Sequence, residues 1–262
     1  MISWSIQNQA GLGLNESNAA IMDGLLSPSE RDRLAELAVP KRRREWLLGR
    51  WTAKQLVRQH LADTTGNTVP LSRVSIGNDN DGAPEVSLPA GLPDDGLSLS
   101  ISHSNGSALC AISAEPGTVV GADIEIVEPR SWQFVEDYFT ADEVAQVRAA
   151  PEAERDELVN GIWSAKEAVL KALHLGLSVD TRRVSCEMHA DATDGGWNRF
   201  TATAQTLAAG VGTDGTERIS GWWRRSGKYV LTMAVLGPTQ RRIMRPHHAA
   251  PRPRRRTLAQ VA

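Results

Sequence analysis

Two periodicities alternate along the chain. The stretch LLSPSERDRLAEL opens a helix, with Ser27 or Ser29 as its cap and Pro28 in the first turn. KRRREWLLGRWTAKQLVRQHLAD predicts a second, longer helix that ends at the TTGNTVP loop. Period-two runs then take over. SRVSIG, DNDGAPEV and LSLSISHSNGSALCAIS predict strands and hairpins. A strand at TVVGADIEIVEPR starts the second half of the chain. Helical segments follow at SWQFVEDYFTADEVAQVRAA and ERDELVNGIWSAKEAVLKALHLG. In the latter, Ile162, Ala165, Val169 and Leu173 form an apolar stripe at helical spacing. RRVSCEMHA, NRFTATAQTL and GWWRRSGKYVLTMAVLG predict three closing strand segments, the last turning at Ser226-Gly227.

The two long helices share an opening. WTAKQLV from Trp51 and WSAKEAV from Trp163 match in register 112 residues apart, with Gln55 in the first where Glu167 stands in the second. The shared order of elements points to duplication. It predicts an α+β fold of two pseudo-symmetric halves, each a long helix packed on a small antiparallel sheet, the two packed face to face. The boundaries fall at residues 1–120, 121–238 and a tail at 239–262.

Composition limits the class. Of 262 residues, 41% are hydrophobic and 23% charged, values of a soluble globular protein, and no apolar run approaches a membrane span. MISWSIQNQAGLG lacks the pattern of a signal peptide. With two cysteines and no CxxC, neither a disulfide framework nor a zinc site is expected. A cytoplasmic monomer with no membrane partner is the expectation. The net charge of −2 hides an asymmetry: the tail from Arg241 holds seven of the 29 bases and no acid, leaving 22 bases against 31 acids and a body of −9. Rich in Pro, Ala and His, that tail is expected to be a disordered, solvated extension, with no nucleic-acid partner.

Four stretches carry candidate chemistry. On a strand, Asp123 and Glu125 leave the same face and repel each other, which a cation relieves; oxygen-only ligands favour Mg²⁺ or Mn²⁺. The alternative is a charged solvent-facing edge. On the second helix Glu167 and Lys171 are i and i+4, an ordinary ion pair if that face met water. Trp163, one turn before Glu167 on the same side, argues that the face meets another element. Ser102, His103 and Ser104 enter a glycine-containing turn of a kind that can cradle a phosphate. Basic residues gather early, at Arg31, Arg33, Lys41 to Arg44, Arg50 and Lys54.

Taken together, ISHSNG, VGADIE and WSAKEAVLK, in that order, resemble the 4'-phosphopantetheinyl transferases of the long, two-half type that activates peptide and polyketide synthases. LSPSERDR and RREWLLGRW resemble the N-terminal helices of that family. The resemblance covers roughly Leu26 to Leu236 and leaves the tail outside. It implies coenzyme A as co-substrate, bound between the halves, with the first half as its platform. It also implies transfer of the phosphopantetheine arm to a serine of an acyl or peptidyl carrier protein, with release of 3',5'-ADP. By resemblance Asp123, Glu125 and Glu167 are metal ligands, with Glu167 also the base. Lys171 faces the coenzyme A phosphates, Ser102 and His103 touch the nucleotide phosphates, and Arg33, Arg44 and Arg50 are basic binding positions. The family often carries Lys before Pro in a Gly-Lys-Pro turn, where this chain has Ala83. Two other readings compete: another Mg²⁺-dependent phosphoryl or nucleotidyl enzyme, and a carrier-binding protein that has lost turnover. Gln55 cannot ionise, and SRVSIG, taken as the half-one counterpart of the acidic strand, has no acid; a single working site is expected.

Overall fold

The computed structural model of the chain describes residues 2–12, 19–92, 96–176, 179–191, 196–205, 216–237 and 245–246. The first half runs through strand β1 (Ile2–Asn8), helices α1 (Gln9–Leu12), α2 (Ala19–Leu25) and α3 (Pro28–Glu36), and the long α4 (Pro40–Thr65). A 3-10 turn at Leu71–Arg73 leads into β2 (Ser75–Asn78), β3 (Pro84–Ser87), β4 (Ser98–Ser104) and β5 (Ser107–Ser113). The second half repeats this order with β6 (Val119–Ile126), α5 (Trp132–Tyr138), α6 (Ala141–Ala149) and the long α7 (Glu152–Ala172). Another 3-10 turn, Thr181–Arg183, precedes β7 (Val184–Met188), β8 (Asn198–Gln205), β9 (Thr216–Ser226) and β10 (Tyr229–Leu236). Arg245–Pro246 form a last short strand, β11.

Among the described residues the strands join in the orders β11-β1-β5-β4 and β6-β10-β9-β8-β7, with β2-β3 a separate ribbon. The α+β architecture in two similar halves is therefore present. Only the second half, however, merges its ribbon (β7-β8) into the main sheet. The strand expectation omitted β1, although Ile2, Trp4 and Ile6 alternate with Ser3, Ser5 and Gln7. All seven residues of β1 pair antiparallel with β5, just as β6 pairs with β10. The half-one counterpart of the acidic strand is thus β1, not SRVSIG, and β1 also carries no acid. Of the basic tail, Arg245–Pro246 pair in parallel with Ser3 and Trp4. The rest of that expectation lies outside the described residues.

Strand β5 is buried along its whole length because both its faces are covered. Cys110 and Ile112 pack with Ala53, Leu56 and Val57 of α4. Leu109 and Ala111 point the other way, into a core shared with Val120, Ala122 and Ile124 of β6 and Leu231 and Met233 of β10. The order of layers is helix, sheet, sheet, helix. Trp4 and Trp197 meet edge-to-face inside the central core, their rings 5.2 Å apart. At one margin the edge strands β4 and β6 lie side by side. There Ser98 Oγ accepts from the Val120 amide at 2.9 Å and Ser100 Oγ from the Ala122 amide at 2.8 Å. The hairpin joining β4 to β5 turns at Asn105 and Gly106, both at positive φ (44° and 78°), the pairing a tight two-residue hairpin requires.

The duplicated helix opening has a structural cause. Lys54 is fully buried and ion-paired with Glu30; its Nζ also donates to the carbonyls of Leu25 (2.8 Å) and Leu71 (3.2 Å). Glu30 caps α3 through the Ser27 amide (2.8 Å) and accepts from the Ile76 amide of β2 (3.1 Å). The second half repeats the pair, the cap, the strand contact and the 3-10-turn contact, with the Val184 carbonyl of β7 in place of the Leu25 carbonyl. Lys166, also fully buried, sits 2.7 Å from Glu143 and donates to Thr181 and Val184 carbonyls. Glu143 caps α6 through the Thr140 amide and accepts from the Cys186 amide of β7, both at 2.7 Å. One lysine and one glutamate thus tie a helix start, the long helix, the 3-10 turn and the following strand together. Lys54 is therefore not one of the residues facing the cleft. Removing one partner of such a pair leaves a buried charge uncompensated. Lys166→Met should therefore lower stability by about 3–5 kcal/mol in urea unfolding. Adding Glu143→Gln to it should recover part of that loss.

Candidate active site

Helix α7 lies directly on β6 at Gly121. A Cβ there would stand 1.9 Å from the Ala168 carbonyl oxygen and 2.7 Å from the Ala172 nitrogen, so only glycine admits the helix. This approach puts Ser164, Glu167 and Lys171 of α7 against Asp123 of β6. Asp123 is buried. Its Oδ1 accepts from Lys171 Nζ (2.6 Å) and Ser102 Oγ (2.7 Å), and its Oδ2 from Ser164 Oγ (2.7 Å). Lys171 also donates to Ser102 Oγ and to the Ala122 carbonyl. Glu125, two residues along the same face, accepts from Trp163 Nε1 at 3.3 Å and lies 3.6 Å from Arg130. Glu167 Oε1 is buried with no hydrogen-bond partner.

The electrostatics of the group are those of crowded carboxylates. Burial, and then the neighbouring Asp123 charge, push Glu125 up to about 7. Glu167 is pushed up to about 7 by the same two causes, with Lys171 opposing. Three carboxylates, one with an orphaned buried oxygen, supply the all-oxygen donor set that a hard divalent cation takes. The residues present fit such an ion.

Beside this group opens a cleft of about 770 Å³ between the halves. From α4, Arg42, Glu45, Trp46, Gly49 and Arg50 face it, at helical spacing. Arg50 is buried, stacks over Trp46 at 4.9 Å and has an Nε with no hydrogen-bond partner; desolvation lowers its pKa from the ordinary value. Arg33, His103, Lys171 and His174 complete the basic lining. His103 Nδ1 lies 3.9 Å from Glu45. The turn bearing Ala83 forms part of the same wall.

Of the residues singled out by sequence, Asp123, Lys171 and Ser102 are hydrogen-bonded together, Glu125 and Glu167 lie near enough to feel the Asp123 charge, and Arg33, Arg50 and His103 line the adjoining cleft. Arg44 does not join them. It is exposed and falls between the helix positions that face the cleft, where Arg42 stands instead. Ser164, Thr232 and Arg130 were not anticipated. Ser164 lies inside the WSAKE motif, but nothing in its letters marks it apart from Thr52.

The family models fit this geometry. Residues 119–233 match the 4'-phosphopantetheinyl transferase superfamily, and residues 30–113 match the 4'-phosphopantetheinyl transferase N-terminal domain. The chain belongs to the 4'-phosphopantetheinyl transferase superfamily. Among curated relatives, the transferase Sfp of Bacillus subtilis (strain 168) is 31% identical over 38% of this chain and 42% of its own length. A second 4'-phosphopantetheinyl transferase of Bacillus subtilis is 27% identical over 65% of this chain and 75% of its own length. HetI of Nostoc sp. is 26% identical over 62% and 65%. The match thus spans less than half the length of Sfp and more of the other two. Both superfamily segments are needed to build the site: the cleft wall comes mainly from the first, the carboxylates from the second.

The raised carboxyls make a pH prediction for the chain in chelator. Folded Glu167 holds its proton up to about pH 7, whereas an ordinary glutamate releases it near 4.5. Between those values the folded chain binds more protons than the unfolded one, so this contribution to stability falls as pH rises. Glu167→Gln keeps the size and removes the charge. In chelator it should melt higher than the parent above pH 7, and the gain should shrink to nothing below about pH 4.5.

Proposed function

We propose that this chain transfers the 4'-phosphopantetheine arm of coenzyme A to a serine of an acyl or peptidyl carrier protein, in a magnesium-dependent reaction that releases 3',5'-ADP. The observation that carries the reading is the unpartnered, buried Glu167 Oε1 near Asp123 and Lys171, with Lys171 also lining the basic cleft. The names of the curated relatives support it.

In this reading Arg33, Arg42, Arg50 and His103 take the nucleotide and its phosphates along the cleft, which directs the diphosphate toward Lys171. Asp123, Glu125 and Glu167 hold the cation. Mg²⁺, when bound, would offset the diphosphate charge as its bond to the arm breaks. Glu167 accepts the proton of the carrier serine as general base. The serine oxygen bonds to the arm's phosphorus, and the bond to the departing 3',5'-ADP oxygen breaks. Lys171 meets the charge that accumulates on that leaving group. Trp163, by donating to Glu125, keeps the outer carboxylate oriented. Ala83 removes the lysine contact that the family often places at this wall, so the arginines of α4 carry more of the phosphate binding.

Mass spectrometry of an apo carrier incubated with enzyme, coenzyme A and Mg²⁺ should show addition of one phosphopantetheine arm. Glu167→Gln should slow transfer by at least ~10²-fold, the low end for loss of a general base. Calorimetry should count one coenzyme A per chain, and Gln55→Glu should not add a second. An unmodified carrier, or parent-like transfer by Glu167→Gln, overturns the proposal.

A further inference from the structure

Asp123 carries three hydrogen bonds, and one of them leads away from the cleft. Ser164 Oγ, with no exposed surface, donates to Asp123 Oδ2 at 2.7 Å and lies 2.8 Å from Thr232 Oγ1. Thr232, equally buried, sits directly across the β6–β10 ladder from Asp123 and lies 2.9 Å from the Ser164 carbonyl. The hydrogen count fixes the direction of this chain. Each hydroxyl has one hydrogen, and an ionised carboxylate only accepts. Ser164 therefore donates to Asp123, and Thr232 donates back to Ser164, to its hydroxyl or its carbonyl. With the Thr232 hydrogen on the Ser164 hydroxyl, both O–H dipoles run toward the carboxylate and each bond polarises the next; with it on the Ser164 carbonyl, Thr232 instead holds the Ser164 backbone beside Asp123.

The first half shows what the same helix position does without an acid beside it. Thr52, the counterpart of Ser164 in the repeated opening, is also fully buried, but its Oγ1 donates to the Leu48 carbonyl of its own helix at 2.8 Å. That bond is the ordinary resting place of a helical hydroxyl. Ser164 forgoes it and turns outward.

We propose that Ser164 and Thr232 form a positioning relay that fixes the Asp123 carboxylate for the divalent cation, a role that rests on the proposed function above. With Ser102 and Lys171 on Oδ1 and Ser164 on Oδ2, three of the roughly four acceptor sites of the carboxylate are taken. What remains is about one lone pair in one orientation. The relay thus sets a single-oxygen contact and keeps the carboxylate from rotating. Ser164 and Thr232 touch neither substrate nor cation, so they act only through Asp123.

The test is Mn²⁺ binding followed by electron paramagnetic resonance, beside steady-state transfer. Ser164→Ala should weaken Mn²⁺ about 10–100-fold, the usual effect of losing a partner that orients a ligand. It should raise the metal concentration needed for half-maximal transfer by a similar factor, while KM for coenzyme A stays unchanged. Ser164→Thr should restore both, and Thr52→Val should leave Mn²⁺ affinity as in the parent. Where Ser164→Ala fails to fold, Thr232→Val against Thr232→Ser carries the test, with several-fold weaker Mn²⁺ expected only for valine. Parent-like Mn²⁺ affinity in a folded Ser164→Ala or Thr232→Val chain overturns the relay and leaves the metal assignment standing. A parent chain that binds no Mn²⁺ overturns both.

Discussion

The contact at Gly121 is the constraint on which the site depends. A helix normally keeps a side chain's distance from the sheet it covers. Here the backbone of α7 rests on the backbone of β6, with no room for even one methyl group. That closeness brings a lysine 2.6 Å from a buried aspartate and seats a glutamate beside both. It also excludes the water that would otherwise level their proton affinities. The raised carboxyls, the orphaned oxygen and the hydroxyl relay are all consequences of packing two elements more tightly than ordinary side chains allow.

Rigidity of that kind needs anchoring, and the buried lysine–glutamate pairs provide it. Each links four segments through one charged pair whose hydrogen bonds reach helix, turn and strand. The pair exists in both halves, so it predates their divergence and has no specific tie to the chemistry. What differs is what was built on it. One residue after the buried lysine, the second half has Glu167. The first half has Gln55, whose carbonyl oxygen accepts from Arg58. Its strand β1 offers only serines and Gln7 among its polar residues before Asn8. The frame was kept in duplicate; the cluster of acids was not.

Much of this was legible in the sequence, for identifiable reasons. The acids and Lys171 lie at strand and helix spacings within short motifs, so two of the three sides of the site follow from local periodicity. The position of Trp163 showed that the acidic face of α7 meets another element, and its indole bonds Glu125. Strand β1 was passed over because seven residues at a terminus carry weak alternation and find their partner about a hundred positions away. The buried role of Lys54 and Lys166 was hidden because a lysine's letter does not show whether its charge meets water or Glu30 and Glu143. Arg44 was misplaced because four consecutive bases do not themselves say which of them faces inward; the base of that run that lines the cleft is Arg42, two residues away.

The margin where β4 meets β6 has a further meaning. Its hydrogen bonds run from backbone amides of one strand to serine hydroxyl oxygens of the other, and its core is the facing apolar sides of two sheets. This is how separate molecules associate, rather than how one sheet continues. Only the short segment 114–118 joins β5 to β6 across it. That segment acts as a tether: it replaces a bimolecular encounter with an intramolecular one at a high effective concentration. Once two copies are tethered, their pairing no longer requires that they be identical. One copy is then free to lose its acids and become a wall for a ligand, while the other keeps them.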